Sequence, residues 1–250
     1  MPATPPIELR LIELFSSIQG EGVFLGRRQL FVRLADCNLN CAYCDTPFQA
    51  ADVWRVETAP GSGVFDEVAN PVIAEELSER IRNLHRQNPI HHSLALTGGE
   101  PLMQAAALAA WLPQVSRILP VFLETNGTLP QALAGLLPWI EWVSMDIKLE
   151  SSCGAPTPWQ THAEFMKLSG EKLCQVKLVI DPATLDEEVC TAARLVAECT
   201  SSTPLILQPR TIAGRPGVSG SRLLHLQAVT ARIHPPTLVI PQLHPLLAVP

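Results

Sequence analysis

Short apolar runs of strand length alternate along the chain with stretches of helical periodicity. The run SLALTGGE, at residues 93–100, has the continuous apolar character of a buried strand and ends in two glycines. Residues 71–88 instead place apolar side chains at intervals of four, four and three, at Ile73, Leu77, Ile81 and Leu84. That spacing predicts an amphipathic helix, and Pro71 suits its first position because proline lacks the N–H that a first-turn residue leaves unpaired.

The same alternation continues toward residue 210. Strand-like runs PVFLETNG, EWVSMDIK, CQVKLVID and PLILQPR follow one another, with a helix-like stretch carrying Leu185, Val189, Ala192 and Val196 before the last run. Successive βα units predict an α/β fold with a parallel sheet, either open and doubly wound or curved into a barrel. A chain of 250 residues can bury one core of this kind, so we expect one domain over residues 1–250. Residues 52–70 have loop composition and are assigned no chemistry.

Polar residues stand at the end of four of these predicted strands. They are Gly98, Gly99 and Glu100, then Glu124, Thr125 and Asn126, then Asp146 and Lys148, and then Gln208 and Arg210. The carboxyl ends of parallel strands meet at one edge of a sheet, so the recurrence indicates a shared pocket. The alternative for any single group is a turn or a helix cap, as Asn126-Gly127 could provide unaided.

Composition and charge narrow the classes of function. The chain is 47% hydrophobic and 17% charged, which is typical of a folded enzyme, and its formal charge is −6. Without clustered Lys and Arg we expect no nucleic-acid partner, and a small molecule is the expected substrate. No run approaches the roughly 18 apolar residues of a membrane span, and no signal peptide is evident. We therefore expect a cytoplasmic protein with no membrane association.

Three cysteines fall within eight residues, in the sequence LADCNLNCAYCDTPF. Cys37, Cys41 and Cys44 are spaced C-x3-C-x2-C, and a loop this short cannot bridge them as disulfides without strain. Clustered thiolates are typical ligands of zinc or of an iron–sulfur cluster. A structural zinc site needs a fourth ligand, and no second CxxC or CxxH pair follows. Four further cysteines, Cys153, Cys174, Cys190 and Cys199, are scattered and are interpreted as core residues.

The spacing, with Tyr43 directly before the last cysteine, resembles the signature of radical S-adenosylmethionine (SAM) enzymes. The run TGGEP at residues 97–101 resembles the glycine-rich strand end of the same superfamily. The resemblance implies a 4Fe–4S cluster held by Cys37, Cys41 and Cys44 in a cluster loop over residues 37–44, with one iron open to SAM. It also implies a partial TIM-like barrel of about six βα units with parallel strands. The six strands counted from Phe31 to Gln208 agree with it.

Residues before the cysteines point toward a substrate. The loop IQGEG at 18–22 places backbone amides, an amide side chain and a carboxylate in one turn, which suits the edge of a pterin-like ring. Alternation along LFVRLA puts Phe31 and Arg33 on one strand face and Val32 and Leu34 on the other. Arg33 is a candidate clamp for a substrate carboxylate, because the guanidinium fork matches a carboxylate bidentately. The alternative is an edge arginine that faces water.

These segments, together with Asp45-Thr46 and the final IPQLHPLLAVP, resemble the 7-carboxy-7-deazaguanine synthase family from about Glu13 to the last residue. That family converts 6-carboxy-5,6,7,8-tetrahydropterin to 7-carboxy-7-deazaguanine with loss of ammonia, in queuosine and 7-deazapurine biosynthesis. It uses a 4Fe–4S cluster, SAM and Mg2+, and hydrogen abstraction at C6 of the pterin precedes ring contraction. The resemblance implies substrate contacts at Ile18, Gln19, Gly20, Arg33, Thr97 and Pro250, with Glu21 and His244 nearby.

The resemblance also implies a SAM site and a magnesium ligand. The SAM site would comprise Tyr43, Cys44, Asp45, Gly99, Glu100, Asp146, Ile147, Lys148, Gln208, Pro209, Arg210 and Thr211. Thr46 would bind Mg2+, which commonly keeps several waters and needs few protein ligands. A homodimer and an electron donor such as flavodoxin or ferredoxin are implied in the same way. Pro245 and Pro250 preclude a regular helix, so the tail, residues 241–250, is predicted to pack in extended form. The substrate contact that the resemblance implies for Pro250 would make this tail close the substrate site.

Two alternatives stay open at this point. Several members of the family have Ser-Pro-Lys where this chain has Asp146-Ile147-Lys148, and the form found here is shared with glycyl-radical-enzyme activases. An activase would act on a glycine of a partner protein and would show no turnover with a pterin. The second alternative is a non-enzymatic metal-binding module, which would require a fourth ligand.

Overall fold

The computed structural model describes residues 6–44 and 48–249. Along them the strands are β1 (Glu8–Leu9), β2 (Leu11–Ile18), β3 (Arg28–Leu34), β4 (Val53–Glu57), β5 (Phe65–Ala69), β6 (Val72–Ile73), β7 (Ser93–Gly98), β8 (Val121–Thr125), β9 (Trp142–Ile147), β10 (Leu173–Ile180), β11 (Leu205–Pro209), β12 (Thr211–Ile212), β13 (Arg215–Pro216) and β14 (Thr237–Val239). The helices are α1 (Ala74–Gln87), α2 (Ala105–Val115), α3 (Pro130–Ala134), α4 (Glu150–Cys153), α5 (Trp159–Ser169), α6 (Asp186–Cys199), α7 (Gly220–Ala231) and α8 (His244–Leu247). Four short 3-10 helices lie at Gly22–Phe24, Pro101–Gln104, Leu137–Trp139 and Gly170–Lys172.

The central sheet has ten strands in the order β14-β11-β10-β9-β8-β7-β3-β2-β4-β5. From β3 to β14 every neighbouring pair is parallel, and β2 runs antiparallel to β3. The six predicted strands are therefore confirmed as β3 and β7 to β11, and β14 adds a further parallel strand. Among the described residues no ladder joins β14 to β5, so the sheet is open. The fold is the predicted α/β partial barrel.

The two faces of the sheet carry separate apolar clusters. Val32 and Leu34 of β3 pack in the large core that also contains Leu77 and Ile81 of α1. Phe31 lies on the other face, in a cluster with Phe15, Ala95 and Phe122, where the Phe15 and Phe31 rings stack with centroids 5.1 Å apart. The alternation predicted along β3 is confirmed. Because side chains alternate along a strand, Arg33 lies on the same face of the sheet as Phe31.

Helix α1 forms as its periodicity predicts, but it begins at Ala74 and not at Pro71. Val72 and Ile73 pair as β6 with the antiparallel strand β1, which occupies the residues that the first helical turn would have used. The Ala74 N–H donates to the Ile7 carbonyl at 2.9 Å, outside the helix. Helix α6 confirms the prediction from Val189, Ala192 and Val196. None of the described helices is both long and apolar enough to cross a membrane.

Segment 52–70 is not a loop, so that interpretation was wrong. Residues 53–57 and 65–69 form the hairpin β4–β5, and β4 also pairs with β2. Trp54 and Val56 are buried while Val53 and Arg55 are exposed, which is the alternation of a half-buried strand. The glycines that suggested a loop form the turn, where Gly61 and Gly63 have φ of +79° and +66°. In the sequence, these glycines indicated a loop more strongly than the apolar residues at alternate positions indicated a strand.

Two further expectations need correction. The tail is not fully extended, because residues His244–Leu247 form one helical turn, and Pro245 is tolerated there since a first-turn residue needs no N–H donor. Of the scattered cysteines, only Cys153 is buried, and Cys174, Cys190 and Cys199 are partly exposed. Cys174 lies in β10, and Cys190 and Cys199 lie in α6.

Candidate active site

A cavity of about 670 Å³ opens at the carboxyl ends of the parallel strands. Each predicted strand end contributes to its wall, with Thr97 and Gly99 at the end of β7, Glu124 at the end of β8, Asp146 and Lys148 at the end of β9, and Gln208 and Arg210 at the end of β11. Other predicted residues reach it from the loops: Ile18, Gln19, Gly20, Glu21, Arg33, Cys37, Cys41, Tyr43, Cys44, Thr211 and His244. Asp45, Thr46 and Pro250 lie outside the described residues.

Three predicted residues do not line the cavity. Ile147 packs in the large core and Pro209 points away from Gln208 and Arg210, as strand alternation requires. Glu100 is fully buried beneath the wall, where its carboxylate accepts from the Leu102 N–H at 3.0 Å, the Thr125 hydroxyl at 2.8 Å and the Asn126 N–H at 2.7 Å. The side chains of these residues therefore organise the wall, and any contact they make with a ligand comes through the backbone.

The cluster loop is fastened to the sheet by backbone hydrogen bonds. The Asp36 carbonyl accepts from the Glu100 N–H at 2.8 Å, the Asp36 N–H donates to the Phe48 carbonyl at 2.6 Å, and the Ala42 N–H donates to the Cys153 carbonyl at 3.1 Å. Gly99 is required at the first of these contacts, because a Cβ there would lie 1.9 Å from the Asp36 oxygen. The glycines of TGGEP thus let the strand end approach the beginning of the loop closely.

The three thiols of this loop fit the donor set of an iron–sulfur cluster. All three line the cavity, Cys44 is exposed, and Cys37 and Cys41 are partly exposed. Burial raises the pKa of the Cys37 thiol and raises that of Cys41 to about 11, so a metal has to displace protons to bind. Among the residues described, no three His, Cys, Asp or Glu side chains are already arranged around one metal position. The donors are nevertheless three thiols in one short loop, which is the soft-sulfur donor set of iron–sulfur clusters.

The wall next to this loop offers a cation and an open acceptor. The Lys148 ammonium lies 5.4 Å from the centroid of the Tyr43 ring and 2.8 Å from the Asp146 carboxylate. The Gln208 side-chain oxygen is buried and has no hydrogen-bond partner within the described part of the chain. A buried acceptor without a partner is costly, so a ligand donor at this position would stabilise the site. These groups suit a ligand that carries a carboxylate and N–H donors, as SAM does.

At the opposite end of the cavity a partly buried glutamate, Glu124, is held by two neutral donors. The Gln19 amide donates to Glu124 at 2.7 Å and to Gln29 at 2.9 Å, while the Thr97 hydroxyl donates to the other Glu124 oxygen at 2.9 Å. Burial raises the pKa of Glu124, although Lys177 and these hydrogen bonds oppose the change. Glu124 is therefore a hydrogen-bonding carboxyl group on a part of the cavity wall that is largely shielded from water.

Glu21 is the second carboxylate at this end, and it is ionised. It contacts the Lys177 ammonium and accepts from the Gln242 amide at 2.8 Å. Burial by itself would raise the pKa of Glu21, but the attraction of Lys177 and these hydrogen bonds lower it to about 2. The tail is fixed beside it, since the Leu243 N–H donates to the Gly20 carbonyl at 2.8 Å. His244 packs so closely that a Cβ at Gly20 would lie 2.3 Å from its Nδ1.

Arg33 lies on the cavity wall and is oriented by a carboxylate. Its Nε donates to Glu13 at 2.8 Å, and the other Glu13 oxygen contacts the Arg55 guanidinium. Glu13 is only 8% exposed. Glu13 holds the Nε group, and the Arg33 side chain lines the cavity with only 24% of its surface exposed, so the residue faces a site and not open water.

Sequence reasoning did not select Glu13, Arg55, Lys177 or Gln242 as site residues, although all four line the cavity. A lysine within the apolar run QVKLVI was a signal, because a strand buried on both faces has no reason to carry a charge unless it is paired. Arg55 was missed with its hairpin. Gln242 gave no signal, since only the folded tail brings it to Glu21.

A partial parallel barrel with a three-cysteine loop at the end of its first parallel strand defines a radical SAM enzyme, and the family model for the radical SAM superfamily matches residues 32–190. The chain is 38% identical to the 7-carboxy-7-deazaguanine synthase of Geobacter sulfurreducens, covering 94% of this chain and 95% of that protein. It is 35% identical to the Thermococcus kodakarensis enzyme of the same name, over 89% and 91%. The chain belongs to the 7-carboxy-7-deazaguanine synthase family of the radical SAM superfamily.

Solved structures support the fold. QueE from Escherichia coli superposes with a TM-score of 0.58 at 20% identity, covering 95% of each chain. Streptococcus suis SuiB superposes with a TM-score of 0.55 at 14% identity, covering 83% of this chain and 47% of that one. Membership of the superfamily carries with it a 4Fe–4S cluster and SAM as cofactors.

Proposed function

We propose that this chain converts 6-carboxy-5,6,7,8-tetrahydropterin to 7-carboxy-7-deazaguanine with loss of ammonia, in queuosine and 7-deazapurine biosynthesis. The observation that carries the proposal is the identity of 38% over 94% of the chain to a relative named for that product. The cavity is compatible with the substrate, because it combines an arginine, two partly buried carboxyl groups and neutral amide and hydroxyl groups. The enzyme is accordingly a radical SAM carbon–nitrogen lyase.

The substrate end would bind the pterin by its two polar edges. Arg33 presents its free N–H groups to the substrate carboxylate, while Glu13 fixes the orientation of the guanidinium. Glu21 and Glu124 accept hydrogen bonds from the N–H groups of the pyrimidine edge, and Gln19 and Thr97 hold Glu124 in place. Such positioning would leave C6 of the ring facing the cysteine loop.

The cofactor end would be formed by the cluster loop and the ends of β9 and β11. Cys37, Cys41 and Cys44 would hold the 4Fe–4S cluster, with Tyr43, Gly99, Asp146, Lys148, Gln208, Arg210 and Thr211 around SAM. When bound, the cluster and SAM supply the adenosyl radical chemistry that removes hydrogen from C6 of the pterin. The protein contributes placement, exclusion of water and control of the substrate's competing reactions.

Magnesium is part of the proposal and rests on the family resemblance. Thr46 would be its protein ligand, and Asp45 would lie beside SAM, although both fall outside the described residues. A hydroxyl ligand is chemically reasonable because substrate oxygens and waters complete the coordination of Mg2+. We expect Thr46→Ala to weaken the magnesium dependence and the turnover while the cluster absorbance stays unchanged. Unaltered turnover and magnesium dependence would remove Thr46 from the site.

The remaining assignments, of partners and of the organisation of the chain, are also proposed from the family resemblance. They are a homodimer, an electron donor such as flavodoxin or ferredoxin, a single domain over the chain, and closure of the substrate site by residues 241–250, including Pro250. The Gln242 contact to Glu21 and the Leu243 contact to Gly20 support the last of these.

The function is tested by an anaerobic assay of the reconstituted enzyme. Protein loaded with iron and sulfide is mixed with dithionite, SAM, Mg2+ and 6-carboxytetrahydropterin, and the product is followed by mass. We expect 7-carboxy-7-deazaguanine, and we expect its loss in Cys41→Ala. Formation of 5′-deoxyadenosine without that product would retain the radical chemistry and exclude the substrate. A glycyl-radical-enzyme activase would give that second result.

A further inference from the structure

Lys177 stands between the two ends of the cavity and contacts a carboxylate from each. It lies on β10, its side chain is 10% exposed, and no part of the proposed chemistry uses it. Its ammonium contacts Glu21 at the substrate end and lies 3.4 Å from Asp146 at the SAM end. We propose that Lys177 is a positioning residue that joins the substrate subsite to the SAM subsite by holding Glu21 and Asp146 at the same time.

The contacts around Lys177 form a continuous chain across the cavity wall. Gln242 of the tail donates to Glu21 at 2.8 Å, Glu21 contacts Lys177, Lys177 contacts Asp146, and Asp146 accepts from Lys148 at 2.8 Å. Each link is a hydrogen bond or an ion pair between side chains that are at most partly exposed. One ammonium group therefore contacts both the carboxylate on the SAM side and the carboxylate on the substrate side.

The charge balance of the wall explains why a lysine is needed there. The groups that face Lys177 are Glu21, Glu124, Asp146 and Lys148, and His244 faces Glu21 from the tail. Three carboxyl groups thus surround two ammonium groups, and the ion-paired side chains among them are only 10–18% exposed. Removing one partner of a buried ion pair leaves an uncompensated charge, which is far more costly than losing an exposed pair.

Ionisation of Glu21 depends on this ammonium. Burial opposes the charged form of Glu21, and Lys177 is the largest influence that lowers its pKa, to about 2. Without Lys177, Glu21 loses the main interaction that offsets the effect of burial, so the pKa of Glu21 has to rise. The proton would then remove the acceptor that reads the pterin N–H groups. Because the inference rests on the proposed function, its test has to separate the two.

The test compares Lys177→Met with Glu21→Gln, with the double variant and with Lys167→Met, the same change on the exposed face of α5. In the anaerobic assay, kcat/KM for the pterin is measured from pH 5.5 to 8.5 and divided by the wild-type value at each pH, which cancels the substrate's own titration. Lys177→Met should show a ratio that falls up to roughly tenfold per pH unit on the acid side. The double variant should not show this fall of the ratio on the acid side, and Lys167→Met should match the wild type.

A second readout tests the connection between the subsites. Lys177→Met should raise KM for SAM as well as for the pterin, whereas Glu21→Gln should raise KM for the pterin only. If Lys177→Met does not fold, judged by circular dichroism and iron content, Lys177→Gln replaces it, because it removes the charge and keeps a donor for Glu21. A pH-independent ratio in the folded variant, or an unchanged KM for SAM, would overturn the inference. Absence of turnover in the wild type would instead overturn the proposed function.

Discussion

Glu100 is a carboxyl group for which burial and hydrogen bonding oppose each other. It is fully buried and accepts three hydrogen bonds, which favour the ionised form, yet burial has the larger effect and raises its pKa to about 7. The side chain holds the ends of β7 and β8 together through Leu102, Thr125 and Asn126. Its protonation state therefore influences the wall of the active site and the stability of the fold.

We predict that this group makes the protein less stable as the pH rises from about 4.5 to about 7. Within that window the native state keeps a proton that the unfolded chain, with a pKa of 4.5, has released. Stability falls with pH wherever the native state binds more protons, and the whole shift corresponds to about 3 kcal/mol. Urea unfolding of the protein at several pH values measures the slope.

Glu100→Gln supplies the comparison, because the amide does not titrate. The variant should lose the contribution of this group to the slope, and it should be less stable at pH 5, since one backbone donor loses its acceptor at a cost of about 1–3 kcal/mol. Glu150→Gln, the same change on an exposed residue of α4, should keep the wild-type slope. A variant slope equal to that of the wild type would contradict the assignment.

At the scale of single residues, the sequence predicted which residues line the cavity better than it predicted which side chains contact one another. The strand-end residues Thr97, Asp146 and Gln208 lie on the cavity as expected, because the end of a parallel strand has a fixed location in the fold. The partners of Arg33 and Glu21 could not be predicted. Glu13 and Lys177 come from strands whose spacing from those residues is set by sheet order, and no pattern in a single sequence encodes that order.

The element that most directly controls the cluster loop is the turn after β7. Gly99 lies against the Asp36 carbonyl, and Gly98 has φ of +124° with the position of a Cβ only 2.2 Å from the Leu34 oxygen. Both contacts are with backbone, which cannot rotate away as a side chain can. The cluster loop and the turn can therefore approach each other only if both positions are glycine.

We predict that Gly99→Ala reduces iron incorporation severely, because the added methyl group has to displace Asp36 and with it Cys37. Gly135→Ala is the matched control, since a Cβ there meets nothing within 4 Å and its φ of −73° suits alanine. Iron and sulfide per chain after anaerobic reconstitution measure the effect. Equal iron content in the two variants would show that the loop tolerates the displacement.

Elements were predicted with uneven success, and the reason is physical. Helix α1 and strands β7 to β11 follow from long apolar periodicity, which tertiary packing reinforces. The hairpin β4–β5 was missed because only Trp54 and Val56 mark its buried face, and its edge partner β2 supplies the rest of the stabilisation. Helix α8 is a single turn fixed by contacts of the tail with Gly20, which local sequence does not contain.

The whole molecule separates its folding core from its cofactor loop. The two apolar clusters are formed by residues of the sheet and its helices, and no residue of loop 37–44 belongs to either of them. In small metal-binding modules the metal replaces a core, so those proteins unfold when it is removed. Here the sheet has its own core, so we expect the scaffold to fold without the cluster.

We predict that the protein stays folded without its cluster. Chelated apoprotein and Cys41→Ala should keep the circular dichroism spectrum of the loaded enzyme and a cooperative thermal transition. The loaded enzyme should gain stability on adding SAM, because a ligand that binds only the native state raises the transition temperature. Cys41→Ala should show little of that gain. Loss of helical signal on chelation would contradict this division and would show that the cluster also has a structural role.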